Sequence, residues 1–328
     1  MTWTEYPATT EGTTVGTLSE AQVAQFEEQG YLALEGVLDP RHDLDPVIEE
    51  YSAILDRLAK DLYERDEISS LHAGLPFARR LTQIQYESGK SYAQHFDIAL
   101  PKRNVADDTP VSVGPAIFGL LRNAKLLDAV ESLIGGEIFA NPIQHVRLRQ
   151  PAHLSANPRP LLSWHQDNAF MMPEADETEV VTLWIPLLDA TVANGCLQVI
   201  PNSHRDGLQQ HCNPGVNIPD RLIRSDEAVP VPLQQGGVLF MHRLMEHAPL
   251  PNHTDTIRWS FDLRYNPSGK PSGRDVQPGF LARSRSRPET EVRDYETWSA
   301  LWYRTRSKLA GQPNPVYERW GADEPGCA

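Results

Sequence analysis

Apolar residues in the first third of the chain recur at helical spacing. Ser19 followed by Gln22 has the form of a capping box, with Val23 and Phe26 on the apolar face of the helix and Gly30 at its end. The same spacing predicts two further helices, over Leu44–Tyr63 and over Asn123–Ile134. The pattern therefore indicates a mainly helical segment over about residues 17–135, interrupted by one short strand at Tyr31–Val37.

From Ile138 onward the pattern changes to short runs of β-branched and aromatic residues separated by Pro, Gly and Asn. Such runs are typical of strands. The predicted strands are IFANPIQHVRLRQP, EVVTLWIPL, CLQVIP, AVPVPL, GGVLF and IRWSFDLRY. Many short strands favour a sandwich or a barrel. After Pro267 the chain is rich in Pro, Gly and Arg, until a last predicted helix over roughly Thr290–Leu309.

The predicted strand Thr256–Tyr265 has two different faces. Its apolar residues alternate with Arg258, Ser260, Asp262 and Arg264, which share the opposite face. Two interpretations fit this alternation. The strand is half solvated, as most two-faced strands are, or it belongs to a barrel whose polar face lines a ligand cavity while the apolar face packs against the predicted helices.

Length, charge and cysteine content limit the class of protein. We expect 328 residues to form one elaborated domain rather than two smaller ones. A net charge of −14 argues against binding to nucleic acid or to an anionic membrane, so we expect a small-molecule substrate. No apolar run is long enough for a membrane span and the first residues do not read as a secretory signal, which predicts a cytoplasmic location. Three widely spaced cysteines support neither a disulfide framework nor a zinc knuckle, and Cys196 is expected to be a buried filler.

His165 and Asp167 are the most informative pair in the sequence. If they lie on a strand, residues two apart point to the same face, so an imidazole and a carboxylate would converge. A third ligand must come from elsewhere, and His247 is the candidate. His242 lies on the same predicted strand and is the alternative, whereas we expect His204 and His253 to be turn residues. Two histidines and one carboxylate form the site of non-haem Fe(II) oxygenases.

The order of these motifs resembles the phytanoyl-CoA dioxygenase family of iron- and 2-oxoglutarate-dependent oxygenases. The similar segments are LSEAQVAQFEEQGYLALEGVLDP, WHQD, TLWIPLLDATVANGCLQVIPNSH, GGVLFMHRLMEHAPLPN and IRWSFDLRY, which together extend over about residues 17–266. The resemblance implies a double-stranded β-helix, also called a jelly-roll or cupin-like fold, with a metal inside one mouth of the barrel. The jelly-roll core would span about residues 136–266, between the helical N-terminal cover and a C-terminal loop and helix over residues 267–328.

The resemblance also implies roles for individual residues. His165, Asp167 and His247 match the iron ligands, and Arg258 matches the arginine that binds the distal carboxylate of 2-oxoglutarate. Arg149 has two open interpretations, a basic residue near the co-substrate or a surface charge at a strand edge.

Two further positions bear on this assignment. Many relatives have Gly-Ser after the distal histidine, whereas Ala248-Pro249 follows it here, so either Ser260 takes over the serine's contact or the carboxylate is held less tightly. A carboxylate at position 167 argues for hydroxylation, because halogenating relatives have a small residue there to admit chloride.

The sequence therefore predicts an Fe(II)- and 2-oxoglutarate-dependent dioxygenase that consumes O2, oxidises a C–H bond of a small metabolite and releases succinate and CO2. The rival interpretations are a non-catalytic metal-binding barrel and an Fe(II) oxygenase without 2-oxoglutarate, neither of which requires Arg258. Substrate specificity is expected in two loops, Phe77–Arg103 and Pro267–Arg287. Three arginines of the second loop either recognise an anionic substrate or form a solvated basic loop: Arg283, Arg285 and Arg287.

Overall fold

The computed structural model describes residues 16–154, 163–212, 216–313, 316–321 and 327. Within these residues the chain forms seven α-helices and ten β-strands. The helices are α1 Glu20–Gln29, α2 Asp45–Glu64, α3 Phe77–Ser88, α4 Ala93–Phe96, α5 Pro115–Leu121, α6 Ala124–Ile134 and α7 Tyr295–Ala310. The strands are β1 Tyr31–Leu34, β2 Glu137–Ala140, β3 His145–Arg149, β4 Val181–Pro186, β5 Leu197–Val199, β6 Val229–Val231, β7 Val238–His242, β8 His247–Pro249, β9 Arg258–Pro267 and β10 Phe280–Ser284.

The N-terminal helices form for the reasons that the sequence indicates. Ser19 and Gln22 make both hydrogen bonds of the capping box, and Gly30 ends α1 in the left-handed region at φ 80°. In α2 the predicted apolar face is buried, and α6 begins after the Asn123 cap and ends at Gly135. These elements pack their apolar faces into one large core cluster. None of the helices within the described ranges is long and apolar enough to cross a membrane.

The strands form two antiparallel sheets with the organisation of a jelly-roll. The larger sheet has the order β1-β7-β4-β9-β2-β10, with β3 pairing on β9 as well. The smaller sheet has the order β6-β5-β8. Strands β1 and β10 extend the larger sheet beyond the range predicted for the core, so the sheet draws on three parts of the chain. The predicted class, mainly β with flanking helices, is confirmed.

Strand β9 lies at the centre of the larger sheet and separates the core from the barrel interior. Its apolar residues, including Trp259 and Phe261, pack under the helices. Its polar residues Arg258, Ser260 and Arg264 are at most 3% exposed. Of the two interpretations of this strand, the barrel is therefore the correct one, and its polar face is not solvated.

The helical and strand content of the two predicted specificity loops was missed by the sequence analysis. Helices α3 and α4 lie within Phe77–Arg103, and β10 lies within Pro267–Arg287. Helix α3 buries an apolar face with Phe77, Leu81 and Ile84 at helical spacing, but Pro76 provides no side-chain cap and polar residues such as Arg80 and Gln85 are buried as well, so its start carries no local signal. The last helix begins at Tyr295, five residues later than predicted, because Asp294 caps it.

The cysteines also depart from the sequence analysis. Cys212 and Cys327 form a disulfide, while Cys196 is the buried filler that was expected. The two partners are 115 positions apart in the sequence, which explains why local spacing gave no signal. Disulfides are more common in oxidising compartments, so this bond does not support the predicted cytoplasmic location, which stays a prediction. The N-terminal residues on which that prediction partly depends lie outside the described residues.

Candidate metal centre

Two histidines are held opposite each other by backbone hydrogen bonds. His247 begins β8, and an antiparallel bridge joins it to His165. The amide of each donates to the carbonyl of the other, at 3.1 Å from His165 and 3.0 Å from His247. Their ring centroids lie 4.2 Å apart, so the two side chains project to the same place in the barrel.

Asp167 reaches the two histidines from a turn and not from a strand. It begins a 3-10 helix over Asp167–Phe170, so the strand expected to contain both His165 and Asp167 is wrong. The predicted convergence is nevertheless present. Asp167 Oδ1 lies 4.0 Å from His165 Nε2 and 3.9 Å from His247 Nε2. One ligand atom from each of the three buried residues lies within 4.8 Å of the others, so together they could hold one metal ion.

Both imidazoles are oriented by a backbone carbonyl. Nδ1 of His165 lies 2.7 Å from the carbonyl of Ser163, and Nδ1 of His247 lies 2.9 Å from the carbonyl of Met245. A proton on Nδ1 donates to the carbonyl and leaves the lone pair of Nε2 directed at the shared space, as metal-ligating histidines require. Burial, together with the neighbouring His247, lowers the pKa of His165 far below its ordinary value, so this imidazole is neutral.

The carboxylate of Asp167 is supported on both oxygens. Thr182 donates a hydrogen bond to Oδ2, and Arg264 donates to Oδ1 at 2.6 Å. Burial alone would raise the pKa of Asp167, but the charge of Arg264, the two neighbouring histidines and the hydrogen bond from Arg264 together outweigh it and hold the pKa well below the ordinary value. Asp167 is therefore ionised at neutral pH, as a metal ligand must be.

The other histidines lie elsewhere. His242 stacks against His204 with ring centroids 5.1 Å apart, and it is not part of the cluster around Asp167. Nε2 of His204 lies 3.2 Å from the carbonyl of Glu27, and His253 is exposed in a turn. The geometry thus favours His247 over His242 as the third ligand.

Arg258 lies on the polar face of β9 and has no acidic partner. Its Nε donates to the carbonyl of Gly195 at 3.1 Å, its Nη1 donates to Ser260, and its guanidinium lies over the ring of Trp184 at 5.3 Å. No carboxylate among the described residues lies within salt-bridge distance of it. Burial lowers the pKa of Arg258 to about 10, so it remains charged at neutral pH.

Two predicted neighbours of Arg258 are indeed adjacent to it. Ser260 is fully buried and accepts the hydrogen bond from Arg258. Arg149 is the register partner of Arg258 on β3, and its Nε donates to the carbonyl of Leu250 at 3.2 Å. The structure therefore places Arg149, which is half-buried, beside Arg258. Ala248 and Pro249 form the rest of β8, which pairs with β5.

A cavity of about 270 Å³ lies one side chain away from the metal centre, on the other side of Phe170, and none of His165, Asp167 and His247 lines it. Phe170 lines it and makes an edge-to-face contact with His165 at 5.4 Å. Its remaining lining residues are Gln94, Asp97, Ala99, Leu100, Pro101, Lys102, His145, Arg147, Val216, Arg274 and Tyr317. Arg274 and Tyr317 were missed by the sequence analysis, because they come from segments without periodicity.

The three arginines that the sequence analysis considered for anion recognition do not line this cavity: Arg283, Arg285 and Arg287. Arg283 contacts Asp128 and Glu131, and Arg285 also pairs with Glu131. Both arginines therefore link β10 and its following turn to helix α6. Arg287 is exposed. Recognition of an anionic substrate by these three arginines is not supported.

The C-terminal segment covers the turn that carries Asp167. Arg319 pairs with Asp176 at 2.6 Å and also donates to the carbonyl of Met171, while the indole of Trp320 donates to the carbonyl of Ala169. These contacts shield the metal centre from solvent on one side.

Comparison with known proteins agrees with this geometry. A sequence model of the phytanoyl-CoA dioxygenase family matches residues 26–260. The phytanoyl-CoA dioxygenase domain-containing protein 1 of Danio rerio is 26% identical over 261 residues, which cover 74% of this chain and 87% of that protein. The 1-deoxypentalenic acid 11-beta-hydroxylase of Streptomyces arenae is 25% identical over 283 residues, covering 77% of this chain and 95% of that protein.

A solved structure shares the fold. The non-heme monooxygenase ThoJ in its apo form aligns with a TM-score of 0.59 at 22% identity, over 89% of this chain and 98% of that chain. The family match extends over more than half of the chain. The chain therefore belongs to the phytanoyl-CoA dioxygenase family and is a non-haem iron dioxygenase that uses Fe(II), 2-oxoglutarate and O2.

Proposed function

We propose that this enzyme hydroxylates, or otherwise oxidises, a C–H bond of a small-molecule metabolite with release of succinate and CO2. His165, Asp167 and His247 are proposed to hold the iron. The observation that carries the proposal is the convergence of one ligand atom from each of these residues within 4.8 Å, in a buried site.

The donor set fits Fe(II). Two neutral imidazoles and one carboxylate give the ion a single protein negative charge and leave coordination positions open for a bidentate 2-oxo acid and O2. When bound, the iron supplies the one-electron and O2 chemistry that side chains cannot provide. The backbone carbonyls behind His165 and His247, and Thr182 behind Asp167, fix the three ligands before the metal arrives.

Arg258 is proposed to bind the distal carboxylate of 2-oxoglutarate. A guanidinium offers two parallel donors to a carboxylate, and the pair gains strength where water is excluded. Arg258 is 3% exposed and has no acid of its own, so a carboxylate ligand would supply the missing charge. Ser260 already contacts the guanidinium and could donate its own proton to the ligand, in place of the serine that Ala248-Pro249 replaces. Arg149 adds a second positive charge beside the same position.

Hydroxylation is the outcome that we favour. Asp167 fills the position that a halogenating enzyme leaves free for chloride, and one relative is named as the 11-beta-hydroxylase of 1-deoxypentalenic acid. The burial of all three ligands and the cover by residues 317–320 would exclude water, which protects a reactive centre from side reactions.

The test is a titration of the anaerobic Fe(II) protein with 2-oxoglutarate, followed by a screen of a metabolite library for substrate-stimulated succinate release. We expect a metal-to-ligand charge-transfer band on addition of 2-oxoglutarate, and a small set of compounds that increase succinate formation. His247→Ala, which removes one of the proposed ligand atoms, serves as the matched control and should give no band. Absence of the band in the wild-type protein would contradict the proposal.

A further inference from the structure

The cavity that Phe170 lines contains one cation that makes no ion pair among the described residues. Lys102 pairs with Glu318 at 2.8 Å, and Arg147 pairs with Asp262 at 2.6 Å. The third cation, Arg274, has no carboxylate within 4.0 Å among the described residues. Each of the other two cations of the lining is therefore already paired.

Arg274 is held in place by neutral groups alone. It is 4% exposed, its Nη2 donates to the carbonyl of Phe170, and its Nη1 donates to the hydroxyl of Tyr317 at 3.0 Å. The ring of Tyr317 lies 4.0 Å from the guanidinium carbon, and Nε is buried without a hydrogen-bond partner in the described part of the chain. A buried charge with an unused donor is costly unless a ligand of opposite charge completes it.

The acid that lines the same cavity is already engaged. Asp97 lies 3.0 Å from Nδ1 of His145 and accepts a hydrogen bond from the amide of Val146. Burial lowers the pKa of Arg274, as expected for a guanidinium without a near counter-ion, but an arginine keeps its charge at neutral pH. The charges of the lining and their partners therefore balance overall, but Arg274 makes no ion pair within 4.0 Å among the described residues, so its guanidinium is free to bind an anion.

We propose that Arg274 binds a carboxylate group of the substrate and that the enzyme oxidises a small carboxylic acid. The inference rests on the proposed function, since it names the substrate class of the same iron centre. Phe170 links the two places, because its carbonyl accepts from Arg274 and its ring contacts His165. An acid anchored at Arg274 would extend past Phe170 towards the metal ligands.

The volume of the cavity limits the size of the substrate. At about 270 Å³ it is just below the range of roughly 300–1,000 Å³ typical of ligand pockets. A free acid fits this space better than an acyl-CoA, whose several phosphates and nucleotide would require a much larger and more basic surface. A planar guanidinium also matches the two oxygens of a carboxylate.

The experiment compares matched acids and amides on the complete enzyme. The anaerobic Fe(II)·2-oxoglutarate complex is titrated with saturated monocarboxylic acids from butanoate to decanoate and with the primary amide of each, and binding is followed as a perturbation of the charge-transfer band. We expect at least one acid to bind about ten- to a hundredfold more tightly than its amide. Equal affinity within every pair, or no binding by any member of the panel, would overturn the inference.

Four variants separate anion binding from a structural role. Arg274→Gln should weaken binding of the acid to the level of the amide while the 2-oxoglutarate titration stays unchanged, and Arg274→Lys should keep part of the preference. Tyr317→Phe should retain the preference, because it removes only the neutral partner of Arg274. Arg285→Gln, an exposed arginine outside the cavity, should behave as wild type. If Tyr317→Phe loses the preference as completely as Arg274→Gln, Arg274 merely positions Tyr317 and the inference is wrong.

Two further outcomes keep this inference distinct from the proposed function. A wild-type protein that shows no charge-transfer band with 2-oxoglutarate would contradict the proposed function itself. A normal band combined with equal binding of acid and amide would contradict the carboxylate inference alone. Tighter binding of hexyl phosphate than of hexanoate would also overturn it, since the cavity would then be a phosphate site.

Discussion

Arg258 and Arg264 lie six residues apart on the same face of β9, and both are almost completely buried, yet their surroundings differ. Arg264 pairs with Asp167 at 2.6 Å and donates to the carbonyl of Ile143 at 2.9 Å. Arg258 is surrounded by neutral acceptors, an indole ring and a second arginine, Arg149. One end of the strand has balanced its charge within the protein and the other has not.

The difference indicates which arginine belongs to the structure and which to a ligand. Removing one partner of a buried ion pair leaves an uncompensated charge, whereas an unpaired buried cation leaves no such charge behind when it is removed. Arg264 should therefore matter most for stability and for Asp167, and Arg258 for binding an anion. Variants of the metal ligands and of the two arginines test this division.

The largest effect is expected for the metal ligands themselves. His247→Ala removes one of three ligand atoms and should abolish tight Fe(II) binding, while His242→Ala should leave it largely intact because His242 lies outside the cluster. Iron stoichiometry after anaerobic loading and desalting is the measurement. Equal iron content in wild type and His247→Ala would contradict the assignment of His247 as a metal ligand, and with it the role given to Arg264.

Replacing Arg264 should destabilise the metal-free protein. Arg264→Met leaves Asp167 charged, buried and without its cation, so we expect the free energy of unfolding to fall by about 3–5 kcal/mol. Arg258→Met should change it by only about 1 kcal/mol, since no acid is left unpaired. Urea unfolding of both variants in the presence of a chelator measures the difference. Added Fe(II) should recover part of the loss in Arg264→Met, and equal losses in the two variants would contradict the comparison.

Replacing Arg258 should weaken the binding of 2-oxoglutarate and leave the affinity for Fe(II) nearly unchanged. Arg258→Ala is expected to raise the Kd of 2-oxoglutarate by about two to three powers of ten, with nearly unchanged iron affinity. Arg258→Lys should recover only part of this, because an ammonium cannot make the two-pronged contact. Titration of the charge-transfer band gives both constants. If Arg258→Ala titrates like wild type, Arg149 is the next residue to test.

The smallest effect concerns the half-buried imidazole of His242, which is neutral in the folded protein at neutral pH and gains a proton at low pH. Burial, and then the neighbouring His204, lower the pKa of His242 to about 4, whereas an unfolded histidine titrates near 6.5. The stabilisation from keeping His242 neutral is present above pH 6.5 and is lost as the pH falls from there towards 4. Between pH 7.5 and 5 the wild type should lose about 2 kcal/mol more than His242→Gln. An equal loss of unfolding free energy in the two proteins across this pH range would contradict the lowered pKa of His242.

The fold was largely predictable because several elements show a clear helical or strand periodicity in their own sequence. The alternation along β9 and the capping box at Ser19 are both local signals, and both are present in the structure. Helix α3 was missed although Phe77, Leu81 and Ile84 recur at helical spacing, because no cap marks its start and several of its buried residues are polar. Thr82 on α3 accepts a hydrogen bond from the amide of Ile257, just before β9, so a contact 175 positions away satisfies this buried polar residue.

The metal centre was predicted in its residues but not in its geometry. Asp167 approaches His165 from a 3-10 turn. Its carboxylate pairs with Arg264, which lies 97 positions later on β9. The cavity could not be predicted at all. Arg274 and Tyr317 follow no period, and their meeting is a consequence of tertiary packing that single-sequence patterns do not encode.

The position of β9 has a further consequence for how the molecule forms. β9 pairs with β2, β3 and β4, and Ile138 pairs with Pro267, which lies 129 positions later in the chain. Topologies dominated by such distant pairings fold on the order of milliseconds to seconds. Until β9 is inserted, β3 has no strand partner among the described residues, and its open edge can pair with other chains. A mild substitution in β9 should therefore reduce the yield of folded enzyme through aggregation before it changes the affinity for iron.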